Sequence, residues 1–256
     1  MTVAASGDTS HDEGVPPQSL RRLGSGPPSW RALVRCWWTS AIVDHFEAGV
    51  RGPHREDRCI YPNGYRDGMS GTSLLRALRA SLGVTQSDLG RRAGVPQPSI
   101  ARVESGRRDL AVGTLDRLAR AGECSVALLP TTVPSVATSV IALTESITVG
   151  DEDLAYRIVI QIADDLAAVD PAVRVALSCL RPGRCGDPRF DAFVAGVVEH
   201  RLTEVSAPLP NWVSDVPALD EAWVVDPDDV GDALDGTPPA LRSRGVVIGE
   251  WELMSS

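Results

Sequence analysis

The stretch from Thr85 to Gly106 constrains this 256-residue chain more tightly than any other, because two short helical patterns must meet there across one glycine. Thr85 suits a helix N-cap, with Asp88 at the third helical position. Leu89 and Ala93 then fall on one face of the helix that follows. Gly94 supplies the left-handed backbone that turns the chain. Val95 reads as the apolar plug behind that turn. Pro96-Gln97-Pro98-Ser99 opens a second helix, which carries Ile100 and Val103 inward and closes at Gly106. On one side Leu74, Leu75, Leu78 and Leu82 form the apolar stripe of a helix ended by Gly83. On the other, Leu110, Leu115, Leu118 and Ala119 belong to a last helix. Residues 74–122 therefore read as four or five short helices around one small core.

Charge divides the chain at the same place. Its basic side chains are all arginine, 25 of them, and the net charge of −9 is unevenly spread. Residues 1–73 are neutral, residues 74–130 carry +4 and residues 131–256 carry −13. A small basic module is thus joined to a strongly acidic one. Phosphate would repel the acidic part, so any affinity for nucleic acid must reside in the basic one.

The run Thr85-Gln86-Ser-Asp-Leu89-Gly90-Arg-Arg-Ala93-Gly94-Val95-Pro96-Gln97-Pro98-Ser99-Ile100-Ala-Arg102-Val103-Glu104-Ser-Gly106 closely resembles the Xre/Cro family of helix-turn-helix repressors. The resemblance covers about a fifth of the chain. It implies a lambda-repressor-like domain that binds double-stranded DNA as a homodimer, with a recognition helix in the major groove. Gln97, Pro98 and Ser99 would then stand at the base edges, where a glutamine can contact adenine through two hydrogen bonds. Arg102, one turn along, would reach a base or a phosphate. Gln86 would hold a phosphate at the start of the scaffold helix, and Arg107 and Arg108 would clamp phosphates after the recognition helix. Two residues depart from the family's habit. Gly90 replaces the usual alanine, and Pro98 replaces the more usual polar residue at a base-facing position.

Residues 123–130, Glu-Cys-Ser-Val-Ala-Leu-Leu-Pro, suggest a short strand that pairs with its counterpart in a second subunit. Residues 131–149 read as a linker, and residues 150–256 as an acidic, α-rich C-terminal domain. Leu154, Ile158, Ile162 and Leu166 predict a first helix there, Pro171 to about Leu180 a second, and Phe190 to Glu204 a third. Beyond Pro208 the chain is loop-like, with Trp212, Trp223 and Trp251 as anchors and Arg244-Gly-Val-Val-Ile as a terminal strand. The whole is a mainly α chain.

The N-terminal 69 residues are broken by proline and glycine. Beyond one helical turn around Trp37, Trp38, Ile42, Val43 and Phe46, they read either as a disordered tail or as an extension upstream of a translation start at Met69. With neither a signal peptide nor an 18-residue apolar run, the expected location is the cytoplasm. The five cysteines show neither a disulfide framework nor zinc-ligand spacing. Asp164-Asp165 and Glu199-His200 read as solvated helix faces, and the acidic run Asp226 to Gly231 as a linker rather than a calcium loop. No nucleophile, phosphate loop or cofactor motif is present, so a regulator is expected and not an enzyme. Two functional readings stay open. In one the chain is an antitoxin-type autorepressor with a cognate toxin protein as partner; the segment Asp187 to His200 and the closing Arg244-Gly-Val-Val-Ile are similar to actinobacterial regulators associated with nucleotidyltransferase-like toxins. In the other the C-terminal domain binds a small molecule and shifts operator affinity.

Overall fold

The computed structural model describes residues 70–225 and 236–253. The readings of the N-terminal tail, of Met69 and of the run Asp226 to Gly231 lie outside these residues. The first two helices of the basic module start and stop on residues suited to those positions. Helix α1 (Gly71–Leu82) begins where the Ser70 hydroxyl accepts the Ser73 amide at 3.2 Å, and ends on Gly83 at φ 61°. Helices α2 (Gln86–Ala93), α3 (Gln97–Glu104) and α4 (Val112–Ala121) follow. Leu75, Leu78, Leu89, Val95, Ile100, Val103 and Leu118 close one small core between them.

Beyond α4, residues 124–129 belong to neither a helix nor a strand. The strand expected at 123–130 does not form among the described residues, and Leu128 is 99% exposed. Leu129 and Val133 then join a second, larger core.

The segment expected as a linker is mostly a helix, α5 (Val136–Val149), capped by Ser135. Its β-branched residues carry little helix propensity, and its apolar positions make no single stripe. Tertiary contacts supply what propensity does not. Val136, Val140 and Leu143 are buried, and α5 packs both on α1 and on α6 (Glu152–Ala167). Arg76 of α1 also reaches Glu145 at 2.8 Å. The basic and acidic modules are therefore joined by a packed helix.

The second core surrounds α8 (Pro188–Thr203), which α6, α7 (Pro171–Ser178) and the short helices α9 (Asn211–Asp215) and α10 (Pro239–Arg242) pack against. Helix α8 is buried on nearly every face, from Phe190 to Leu202. A parallel pair of two-residue strands, β1 (Trp223–Val224) and β2 (Val246–Val247), completes it at the expected terminal strand. Trp212 is buried and donates its indole N–H to the Ser178 carbonyl at 2.9 Å. Trp223 packs edge-on against Phe190 and Phe193.

Three sequence readings need correction. Trp251 is no anchor: it is 59% exposed on a closing 3-10 turn (Glu250–Leu253), whose inward residues are Glu252 and Leu253. Glu199 is not merely solvated, because Arg244, buried on the next layer, donates to it at 2.6 Å. Asp165 is half-buried and accepts from the Gln161 amide; burial, and then the neighbouring Asp164 charge, raise its pKa to about 6. Buried arginines also hold helix carbonyls in this domain. Arg174 donates to the carbonyls of Ala167 and Arg201, and Arg201 to those of Ala163 and Leu253.

Candidate nucleic-acid interface

The turn between α2 and α3 is set by close packing. The Thr85 hydroxyl accepts the Asp88 amide at 3.1 Å and fixes the start of α2. Gly94, at φ 64°, ends that helix, and the Val95 amide returns to the Gly90 carbonyl at 2.9 Å. A Cβ on Gly90 would lie 2.5 Å from the Val95 carbonyl oxygen, so the backbones approach closer than any side chain allows. Val95 is buried beneath, and α3 leaves this turn with its first residues outward. Gln97 and Pro98 are exposed, and Ser99 is half-buried.

A chain of polar bonds runs from that surface into the core. Gln97 Nε2 donates to Gln86 Oε1 at 2.8 Å, and Gln86 Nε2 donates to Glu104 Oε2 at 2.9 Å. Glu104, buried at the end of α3, accepts a two-pronged contact from Arg79 of α1, at 2.7 and 3.0 Å. Arg79 also donates to the Val84 carbonyl. Burial alone would raise the Glu104 pKa, but the hydrogen bonds from Arg79 and Gln86 outweigh it and hold the carboxyl below its usual value.

This chain has a direction. A carboxylate only accepts, so Gln86 must turn its NH2 toward Glu104 and its carbonyl toward Gln97. Gln97 spends one amide hydrogen on that carbonyl. Its second amide hydrogen and its own carbonyl are left outward, which is the donor–acceptor pair that an adenine edge complements.

The remaining expected residues are placed less tightly. Arg102 is exposed and folds back along α3, its Nε donating to the Pro98 carbonyl at 3.2 Å. Arg107 and Arg108 are exposed after Gly106, which sits at φ 70°. Arg107 stands apart on the loop. Arg108 and Ser99 line a cleft of about 200 Å³, whose walls also include Ala111, Thr114 and Arg117. The first turn of α4 opens beside it without a side-chain cap. Reading the sequence left out Arg117, and also Arg79 with its role behind Glu104. For Glu104 the signal was the Glu-Ser-Gly of the resemblance; for Arg79, on a separate helix, no local signal exists.

Residues 75–129 match the helix-turn-helix family, from within α1 to beyond α4. No curated protein and no solved structure matches the chain. None of the described helices is long and apolar enough to cross a membrane.

Proposed function

We propose that this helix-turn-helix protein, a DNA-binding regulator of transcription, is a homodimeric autorepressor of antitoxin type. The observation that carries the sequence-specific part of this reading is the oriented amide of Gln97, held by Gln86 and backed by the buried Glu104–Arg79 pair. A base reader needs its free donor and acceptor fixed before contact, so that no rotamer entropy is lost on binding. Ser99 and Arg102 extend the same face of α3, with Pro98 shaping the first turn. Gln86, Arg107 and Arg108 hold the phosphates beside it, where the uncapped start of α4 favours an anion.

Dimer formation rests on residues 124–129, which the sequence suits to a strand and in which Val126 and Leu128 are exposed. Two such segments related by a two-fold axis complete each other's hydrogen bonds and place two recognition helices about 34 Å apart. The acidic domain supplies the antitoxin part. Its charge of −13 suits the masking of a basic, nucleic-acid-handling toxin. The hollow lined by Val140, Arg184, Asp191 and Trp212 has a volume of about 30 Å³, which suits a water rather than a metabolite.

The test is a gel shift of the full chain on DNA from its own upstream promoter, at two salt concentrations with unrelated DNA in excess. A salt-sensitive shift that survives the competitor is expected. Equal loss to unrelated DNA would sink the sequence-specific reading. Light scattering on Leu128→Asp tests the dimer separately, with a halved mass expected.

A further inference from the structure

The cleft between α3 and α4 holds charges that the described chain leaves unused. It measures about 200 Å³, and Val95, Ile100, Val103 and Leu118, all buried, give it an apolar floor. Ser99, Arg108, Asp109, Thr114 and Arg117 line it too. None of these five side chains has a hydrogen bond or ion pair to another described side chain. Other exposed arginines of this module do find a carboxylate: Arg91 pairs with Asp88 at 2.8 Å and Arg120 with Asp116 at 2.9 Å. Asp109 shares the cleft with two arginines and pairs with neither. Two cationic groups, one anionic group and an apolar surface are therefore open to a ligand within one small volume.

We propose that this cleft binds a free apolar α-amino acid of the leucine type. Arg108 and Arg117 take its carboxylate, since a guanidinium offers paired N–H donors to two oxygens. Asp109 takes the ammonium, and the Ser99 and Thr114 hydroxyls can accept its remaining hydrogens. The aliphatic side chain lies on the floor, where apolar surface leaves water. An apolar cavity of about 150 Å³ holds a benzene, so the room here suffices for a leucine. A charged or amide side chain would find no polar partner on that floor. A bare phosphate would gain nothing from the floor and would be repelled by Asp109. Pro96 and Ser99, where the recognition helix starts, belong to the lining, so occupancy bears on the DNA-facing surface. Arg108 is also among the phosphate contacts proposed above, and on that reading a bound amino acid takes it from the DNA.

The experiment titrates L-leucine into the full, isotope-labelled chain without DNA and follows the backbone amides by NMR. Saturable shifts are expected at Val95, Ser99, Val103, Thr114 and Leu118, in the millimolar range that suits so small a ligand. Isocaproate, which lacks the ammonium, and isoamylamine, which lacks the carboxylate, should each bind at least about tenfold more weakly. Arg117→Ala should lose a similar factor for leucine. Asp109→Asn should weaken leucine yet leave isocaproate no weaker, a pattern that a loss of structure does not give. The absence of a saturable shift, or equal affinity for leucine and isocaproate, would overturn the proposal. With operator DNA added, saturating leucine should loosen the gel shift of the native chain and not that of Arg117→Ala. A gel shift unmoved by leucine would overturn the competition for Arg108, whereas the titration, free of DNA, is independent of the repressor reading.

Discussion

Gln97 donates to Gln86 at 2.8 Å, and that bond decides which of its polar atoms face outward. Replacing Gln97 by alanine should remove discrimination at one base position in each half-site, by about 1–3 kcal/mol, while the other positions keep theirs. Binding measured across a set of single-base operator variants checks this. An equal loss on every sequence would take Gln97 off the list of base readers.

Arg108 has a different expected signature. It is exposed at the rim of the cleft beside α4 and has no base-facing neighbour fixed to it. Arg108→Ala should weaken all sequences alike and make the plot of log affinity against log salt shallower by about one unit per subunit. A titration over several salt concentrations reads the slope directly.

Glu104 makes the recognition helix depend on acid. Its folded pKa lies below the ordinary 4.5, since bonds from Arg79 and Gln86 overcome the effect of burial. The charged pair therefore contributes full stability above about the unfolded value. That contribution fades as the pH falls through the lower folded value. Urea midpoints between pH 3 and pH 6 should fall on the acid side, and Glu104→Gln should lose that component. At neutral pH Glu104→Ala should cost about 3 kcal/mol, because it strands a partly buried arginine.

The first three helices of the basic module were legible from stripes and stops: Leu75 and Leu78 before Gly83, Leu89 between Thr85 and Gly94, Ile100 and Val103 before Gly106. Helix α5 was not, since Thr138, Ser139 and Ser146 are buried in it beside Val140 and Leu143. A polar residue at an inward position erases the stripe that local reading relies on, and only packing on two sides reveals the helix. Helix α8 was expected from Phe190 and starts two residues earlier, at Pro188 behind the Asp187 cap, and its all-round burial hid which face mattered. Glu199 was misread for another reason. Its partner Arg244 lies on a separate element, and no local pattern connects them. At the interface, Gln86 and Gln97 followed from the resemblance, whereas the support from Arg79 arises only when α1 crosses the end of α3.

Gly90 offers a case where two known effects oppose each other. Alanine should gain about 1 kcal/mol of helix propensity at a position inside α2. Its methyl carbon would also meet the Val95 carbonyl at 2.5 Å and Ile100 Cδ1 at 3.3 Å. A backbone oxygen cannot rotate aside, so the turn must open, at a typical overpacking cost of about 1–3 kcal/mol. Gly90→Ala should therefore be net destabilising by about 1 kcal/mol and should weaken operator binding by displacing α3. A raised urea midpoint would mean that the turn opens without strain.

Asp165 should behave in the opposite sense to Glu104. Its pKa is raised to about 6, first by burial and then by Asp164, against 3.8 as the ordinary value. The folded chain thus holds this proton more tightly than the unfolded chain. Stability from this group is complete below about pH 4 and declines as the pH rises to about 6, after which it stays low. At neutral pH the ionised side chain is a burden on α6. Asp165→Asn removes the charge, keeps an oxygen to accept from the Gln161 amide, and should raise stability at pH 7 by about 2 kcal/mol after allowance for partial exposure. At pH 4 the two proteins should be nearly equal. Unfolding midpoints at those two pH values suffice, and an equal change at both would show that the effect comes from packing rather than from charge.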